Sequence, residues 1–324
     1  LAYHKARGES SRVRLIGRER GYHGVGFGGM SVGGIGPNRK QFGALLPYVD
    51  HLPHTHLPAK NSYCRGEPPH GAELADVLEN LVALHGAETI AAVMVEPVAG
   101  STGVLVPPVG YLKRLRDICT KHGILLIFDE VITGFGRLGA NFGAERLGVV
   151  PDIMTMAKGL TSSYIPLGAM GMRDAIADHF RENVFWGGLT YNAHPMCMAA
   201  ALAAVNVLVE DGMIENAAHM GNVMRGHMER LARKHRCVKE HRNIGLFGTI
   251  ELRKNSAGER IVPYAGSHPA MAKLGKFYRD NGLFTVLQWS MVMCNPPLCI
   301  NEAQMAEGFD IIDRGLDIVD EAFE

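Results

Sequence analysis

GILLIFDEVITGFGR, residues 123–137, decides the fold. A glycine stops whatever precedes it, Ile124 to Phe128 are apolar without interruption, and the run ends on Asp129 and Glu130. A short apolar run with no polar alternation reads as a strand buried on both faces, as in a parallel sheet covered by helices. Two more runs end in the same way. TIAAVMV, residues 89–95, stops at Glu96 and Pro97, and DIMTMA, residues 152–157, stops at Lys158. In open α/β sheets, ligands bind outside the carboxyl ends of the strands. Glu96, Asp129 and Lys158 therefore stand where one crevice would gather all three.

Around these runs the signals alternate. Leu74, Val77, Leu78, Leu81 and Leu84 follow helical spacing, and so do Leu112, Leu115, Ile118 and Cys119 before the stop at Gly123. PLGAMGM, residues 166–172, follows the Lys158 segment. The pattern predicts an α/β unit with a mostly parallel sheet flanked by helices. Past residue 195 the texture changes. MCMAAALAAVNVLVEDG predicts a long helix, and another is expected from about Ile214 to Lys234. NIGLFGTIEL and LFTVLQWSMVMC read as strands, and Met305, Phe309, Ile312, Leu316 and Val319 mark a final amphipathic helix. This predicts a smaller C-terminal α+β domain. The division falls near Asp211–Gly212, giving a large domain of residues 1–211 and a small one of residues 212–324. No repeat or low-complexity stretch interrupts either part.

Bulk properties exclude several classes. The 324 residues are 47% hydrophobic and 20% charged, ordinary for a soluble globular protein. Lys+Arg and Asp+Glu both number 33, so no basic excess points to nucleic acid or an anionic membrane. No apolar stretch has bilayer length, and LAYHKARGESSR lacks the apolar core of a secretory signal. The six cysteines are scattered with no C-x-x-C pair, which argues against a disulfide framework or zinc knuckle. A reducing cytoplasm is the simplest compartment. LAYHKARGE reads as the last turns of a helix without its beginning, so a longer chain is expected.

Two motifs are decoys. Gly24, Gly26 and Gly29 satisfy G-x-G-x-x-G, with Asp50 at about the distance of a ribose-binding acid. SVGGIGPN follows, which is not expected to open a helix, so a closely packed glycine-rich loop is the better reading. The histidines of HLPHTH, His51, His54 and His56, have no matching carboxylate pattern nearby. Local hydrogen bonding is the better reading there, and no metal site is expected.

Asp129 and Lys158 fit one chemistry together. Pyridoxal phosphate needs a lysine amine for its Schiff base and often an acid beside its pyridine nitrogen. The carboxylate keeps that nitrogen protonated, and a partly buried strand end lowers the lysine pKa toward the reactive free amine.

The chain resembles the class III, ω-type, pyridoxal-phosphate aminotransferases of fold type I. The resemblance rests on GRERGYHG (17–24), VEPVAGSTG (95–103), ILLIFDEVITGFGR (124–137), PDIMTMAKGLTSSYIPLGA (151–169), GLTYNAHP (188–195) and NPPLCI (295–300), which run in family order along essentially the whole chain. VDHLPH and GFGGMSVGG make it most similar to the ω-amino acid–pyruvate and taurine–pyruvate group. The resemblance implies that Lys158 bonds the cofactor and shuttles the proton, and that Asp129 partners the pyridine nitrogen. Val131 and Tyr22 would cover the two ring faces, with His23 beside Tyr22 and Glu96 near the ring edge. Thr190 would reach the phosphate in the neighbouring subunit. A homodimer with shared active sites follows, and a tetramer is left open. The family's phosphate-binding loop is expected upstream of LAYHKARGE. Many relatives place a carboxylate-clamping arginine before NPPL, where this chain has Val286 and Gln288. The expected reaction moves an amino group from an amine or ω-amino acid to a small keto acid such as pyruvate. A racemase, aminomutase or decarboxylase on the same scaffold, or a non-catalytic dimerising protein, are the alternatives.

Overall fold

The structure is a computed structural model that describes residues 1–262 and 266–324. Six strands form the first sheet: β1 (Arg14–Arg18), β2 (Val49–Leu52), β3 (Ile90–Val95), β4 (Leu125–Asp129), β5 (Ile153–Met156) and β6 (Ala169–Met172), in the order β2-β1-β3-β4-β5-β6. All neighbours are parallel except β5 and β6, so one antiparallel edge closes a parallel sheet. Ile16, Val93, Val95, Leu126 and Phe128 are buried in it. The helices Val77–His85 and Tyr111–Lys121 contribute Leu78, Leu115 and Ile118 to the same core. Leu84 departs from its expected role: it is 73% exposed.

The sequence reading left β1 and β2 unassigned. Both are short, and β1 is bounded by Arg14 and Arg18 rather than by a clean apolar run. Gly17, paired with His51 of β2, marks a close approach of another segment. A Cβ there would lie 1.9 Å from the Val32 carbonyl oxygen, so only glycine lets the chain at Val32 lie this close. That approach corrects the reading of the glycine-rich stretch. Phe27–Val32 does form a helix, opened by Gly26, and Gly36–Phe42 forms another with Pro37 in its first turn. Proline and glycine at helix starts were read as breakers where they act as openers.

Helix Pro195–Glu210 is followed, after Asp211 and Gly212, by Met213–Lys234. The second sheet is antiparallel: β7 (Val238–Ile244), β8 (Phe247–Leu252), β9 (Leu287–Gln288) and β10 (Met291–Cys294), in the order β7-β8-β10-β9. Each predicted strand of this half is a hairpin. NIGLFGTIEL turns at Gly245, and LFTVLQWSMVMC turns at Trp289, both with positive φ. Met220, Met224, Met228 and Leu231 pack there with Ile250, Leu274, Phe309 and Leu316, the last two from the capped helix Glu302–Glu321. A third cluster, including Val98, Leu138, Phe247 and Met293, joins segments following β3 and β4 to the second sheet. Among the described residues, no single helix is long and apolar enough to cross a membrane.

Candidate active site

Strands β3, β4 and β5 bring their carboxyl ends side by side, and Glu96, Asp129 and Lys158 follow or end them as the sequence predicts. Asp129 is buried. Its Oδ2 lies 2.8 Å from His23 Nδ1, and its Oδ1 accepts the Val131 N–H at 3.1 Å. An ionised carboxylate can only accept, so His23 Nδ1 carries the proton and donates it. The other ring nitrogen, Nε2, is buried without a partner among the described residues.

Glu96 is also buried, and both of its oxygens are used. Oε1 accepts the Tyr22 N–H at 2.9 Å and Oε2 the Gly100 N–H at 2.8 Å. Burial pushes its carboxyl pKa up, opposed by His23 and these two amides. Glu96 thus ties the GYHG segment to the end of β3. Glu130, next to Asp129, turns away into a structural task. It accepts the N–H groups of Gly143 at 2.8 Å and Ala144 at 2.7 Å, opening the helix Gly143–Arg146, and also bonds the Thr133 hydroxyl.

Lys158 begins a single 3₁₀ turn, Lys158–Leu160, with φ at 41°. A lysine in this region carries about 1–3 kcal/mol of strain, which its surroundings must hold. Gly159 helps: a Cβ there would lie 2.8 Å from the Phe135 Cβ. Partial burial pushes the Lys158 ammonium below its ordinary pKa, while Glu96 and Asp129 pull it back in part. No carboxylate forms an ion pair with it among the described residues.

A cleft of about 980 Å³ opens in front of Lys158. Val131, Phe135, Arg137, Tyr164, Val286 and Gln288 are among its walls. Val131 and Lys158 line the same space. Tyr22, His23, Glu96 and Asp129 are not among its lining residues; Tyr22 is held by Glu96 and His23 meets Asp129. Thr190 is exposed outside the cleft. The sequence reading missed two features. It placed His23 beside Tyr22 but not on Asp129, although a histidine in a glycine-flanked turn was the available signal. It quoted Arg137 without giving it a role.

The decoy histidines scatter. His51 Nε2 lies 3.1 Å from the Val32 carbonyl oxygen and 3.0 Å from that of Gly33. His56 instead meets Glu240 at 3.3 Å and Glu251 at 3.7 Å. The carboxylates missing from the sequence neighbourhood come from β7 and β8, which local spacing does not reveal.

Comparison with known proteins places this geometry. The profile of the class III aminotransferases matches residues 1–316. An omega-aminotransferase of Caulobacter vibrioides is 49% identical over 99% of this chain and 72% of its own length. An omega-amino acid–pyruvate aminotransferase of Pseudomonas putida is 42% identical over 98% of this chain and 71% of its own. The crystal structure of an amine transaminase from an uncultivated Pseudomonas species, in a PLP-bound form, superposes with a TM-score of 0.89 at 34% identity, covering 97% of this chain and 72% of that one. The chain belongs to the class III aminotransferases.

Proposed function

We propose that this transaminase uses pyridoxal phosphate to move an amino group from an amine or ω-amino acid to a small keto acid such as pyruvate. The observation that carries the reading is that Asp129, held by His23, and Lys158 stand at adjacent strand ends, with Lys158 and Val131 lining the cleft. The residues fit the cofactor. Asp129 offers a buried carboxylate for a protonated ring nitrogen, Val131 an aliphatic face, and Lys158 an amine with lowered pKa. Bound there, the cofactor supplies an aldehyde for the amine and a ring that takes up the electron pair left when the substrate carbon loses its proton.

The rest is the work of the chain. Lys158 Nζ, deprotonated more readily because of burial, would take the proton from the substrate carbon and deliver it to the cofactor carbon. His23 and the Val131 amide both donate to Asp129 and fix its carboxylate in place. Glu96 holds the backbone at Tyr22, so the GYHG turn cannot drift from the strand ends. Val286 and Gln288 offer no cation for the second carboxylate of a dicarboxylic donor such as L-glutamate, which favours ω-amino acids, taurine-like compounds and simple amines. The relatives named for ω-amino acid and amine substrates support the same donor class.

A homodimer with shared sites, in the cytoplasm, belongs to this proposal. Trp186, Leu189, Tyr191 and Leu202 are 93%, 75%, 82% and 65% exposed, a large apolar surface for a lone chain. Thr190 sits within it, which supports its expected reach toward the phosphate in a neighbouring subunit. Lys158→Ala and Thr190→Ala chains, mixed with exchange verified, are expected to regain activity because one site of each mixed dimer is intact in both residues. Activity no higher than that of the Thr190→Ala parent contradicts sharing.

A donor panel tests the reaction. With pyruvate as acceptor, kcat/KM for β-alanine, taurine and a primary amine is expected to exceed that for L-glutamate by roughly one to two decades, the worth of a lost charge-assisted contact. L-Glutamate matching or exceeding them overturns this reading of the donor pocket.

A further inference from the structure

A keto acid needs a cation to replace the water around its carboxylate, and the strand before NPPL offers none. The cleft itself does. Among its lining residues Arg137 and Lys158 are the only cations, and no aspartate or glutamate lines it. Lys158 is committed to the reaction. Arg137 is engaged through one nitrogen only: Nη1 donates to the Leu246 carbonyl at 3.0 Å and the Pro296 carbonyl at 2.6 Å. Its Nη2 and Nε carry no hydrogen bond among the described residues, and no carboxylate pairs with it there.

Other arginines also lack a carboxylate, Arg39 on three carbonyls among them, but they do not line the cleft. Arg12, Arg116, Arg230, Arg242 and Arg260 each meet a carboxylate within 3.4 Å. Arg18 lacks one but is sealed in the core, 1% exposed, on the Glu96 carbonyl and the Tyr111 ring. Arg137 alone combines a missing counterion with a place on the cleft wall. It is also anchored near the reacting end. Phe135, two residues earlier, packs against Gly159 beside Lys158, and the Pro296 carbonyl that it holds belongs to the NPPL turn.

We infer that Arg137 is the carboxylate receptor of the acceptor, fixed by Leu246 and Pro296 so that the free side of its planar fork receives the keto acid. The inference rests on the keto-acid reading above. Two carbonyl contacts hold the guanidinium without neutralising it, so an incoming carboxylate supplies the absent counterion with two parallel hydrogen bonds. Burial lowers the Arg137 pKa to about 10, as expected of a cation with no acid beside it.

The test is a ratio. With a saturating amine donor, kcat/KM is measured for pyruvate and for propanal, which lacks the carboxylate. In Arg137→Gln the pyruvate-to-propanal ratio is expected to fall about 10- to 100-fold, with Arg137→Lys intermediate. A brace between segments would lower both acceptors together, so an unchanged ratio overturns the inference while leaving the keto-acid reading intact. Wild-type enzyme that accepts propanal but not pyruvate overturns both. A measurement on unmutated protein covers the case in which the variants do not fold. Butanedione, a small arginine reagent, is expected to label Arg137, with oxamate, an unreactive analogue of pyruvate, protecting it. Equal labelling with and without oxamate contradicts the inference. So does no labelling at all, since Arg137 would then be closed to a molecule of pyruvate's size.

Discussion

Two buried ionic clusters in this chain are built on opposite principles. At the strand ends of the first sheet, Asp129 has one histidine and one amide, and among the described residues His23 Nε2 has no hydrogen bond and Lys158 no ion pair. At the second sheet, Glu251 meets Arg242 at 3.3 Å, Arg260 at 2.8 Å and Lys239 at 3.9 Å. Glu240 meets Arg242 at 2.7 Å, and Arg242 Nε donates to the Gly103 carbonyl at 2.8 Å, linking the sheet to the segment after β3. Burial raises the Glu251 carboxyl, but Arg242 and Arg260 outweigh it and hold it at about 2. The second cluster pairs its acids with several cations, although Arg242 Nη2 and His56 Nε2 lack hydrogen bonds among the described residues, whereas the first is sparsely paired and reaches a large cleft through Lys158. The first is the one whose charge borders a large cleft.

The contrast breaks if the clusters respond alike to mutation. Glu251→Gln strips Arg242 and Arg260 of their shared partner. Breaking a buried pair costs about 3–5 kcal/mol, so the denaturant midpoint is expected to drop sharply. Transamination measured under conditions where the variant is folded should change little. Asp129→Asn should do the reverse. Its amide cannot hold a pyridinium charge, so kcat is expected to fall by roughly two to three decades, while the unfolding midpoint moves little. An Asp129→Asn enzyme near wild-type turnover rules out the role given to Asp129.

A smaller effect sharpens the comparison through pH. Burial, with Arg242 beside it, pushes the His56 pKa down to about 3, and burial pushes His241 down to about 4. Unfolded, each would titrate near 6.5, so below that pH the unfolded chain binds protons that the folded chain refuses. The contribution of these histidines is complete above the unfolded value and is lost as pH falls from 6.5 toward 3–4. Denaturant titrations between pH 7 and pH 5, above most carboxylate titration, should show stability falling with acid. His56→Gln should flatten that slope. An unchanged slope in the variant removes His56 from the account.

Much of this was legible in the sequence because it is local. Asp129 and Lys158 end apolar runs, and an apolar run without alternation admits few readings. The final helix was legible from Met305, Phe309, Ile312, Leu316 and Val319, all of them buried. What escaped is nonlocal or carried by turn chemistry. His23 finds Asp129 across 106 residues, and His56 finds Glu240 and Glu251 from the other sheet. Gly245 and Trp289 fold predicted strands into hairpins at positive φ, which hydrophobicity does not encode. Arg137 was overlooked because what distinguishes it is the lack of a counterion, a property of its surroundings.

The central claim is that the sparsely paired cluster is the reaction centre, with Lys158 its reacting amine. Borohydride reduction of the protein with pyridoxal phosphate, followed by peptide mapping, tests it most directly. The account predicts a phosphopyridoxyl group on Lys158, with none at that position in Lys158→Ala and no transamination by that variant. The same group on another lysine, with Lys158 unmodified, would contradict it.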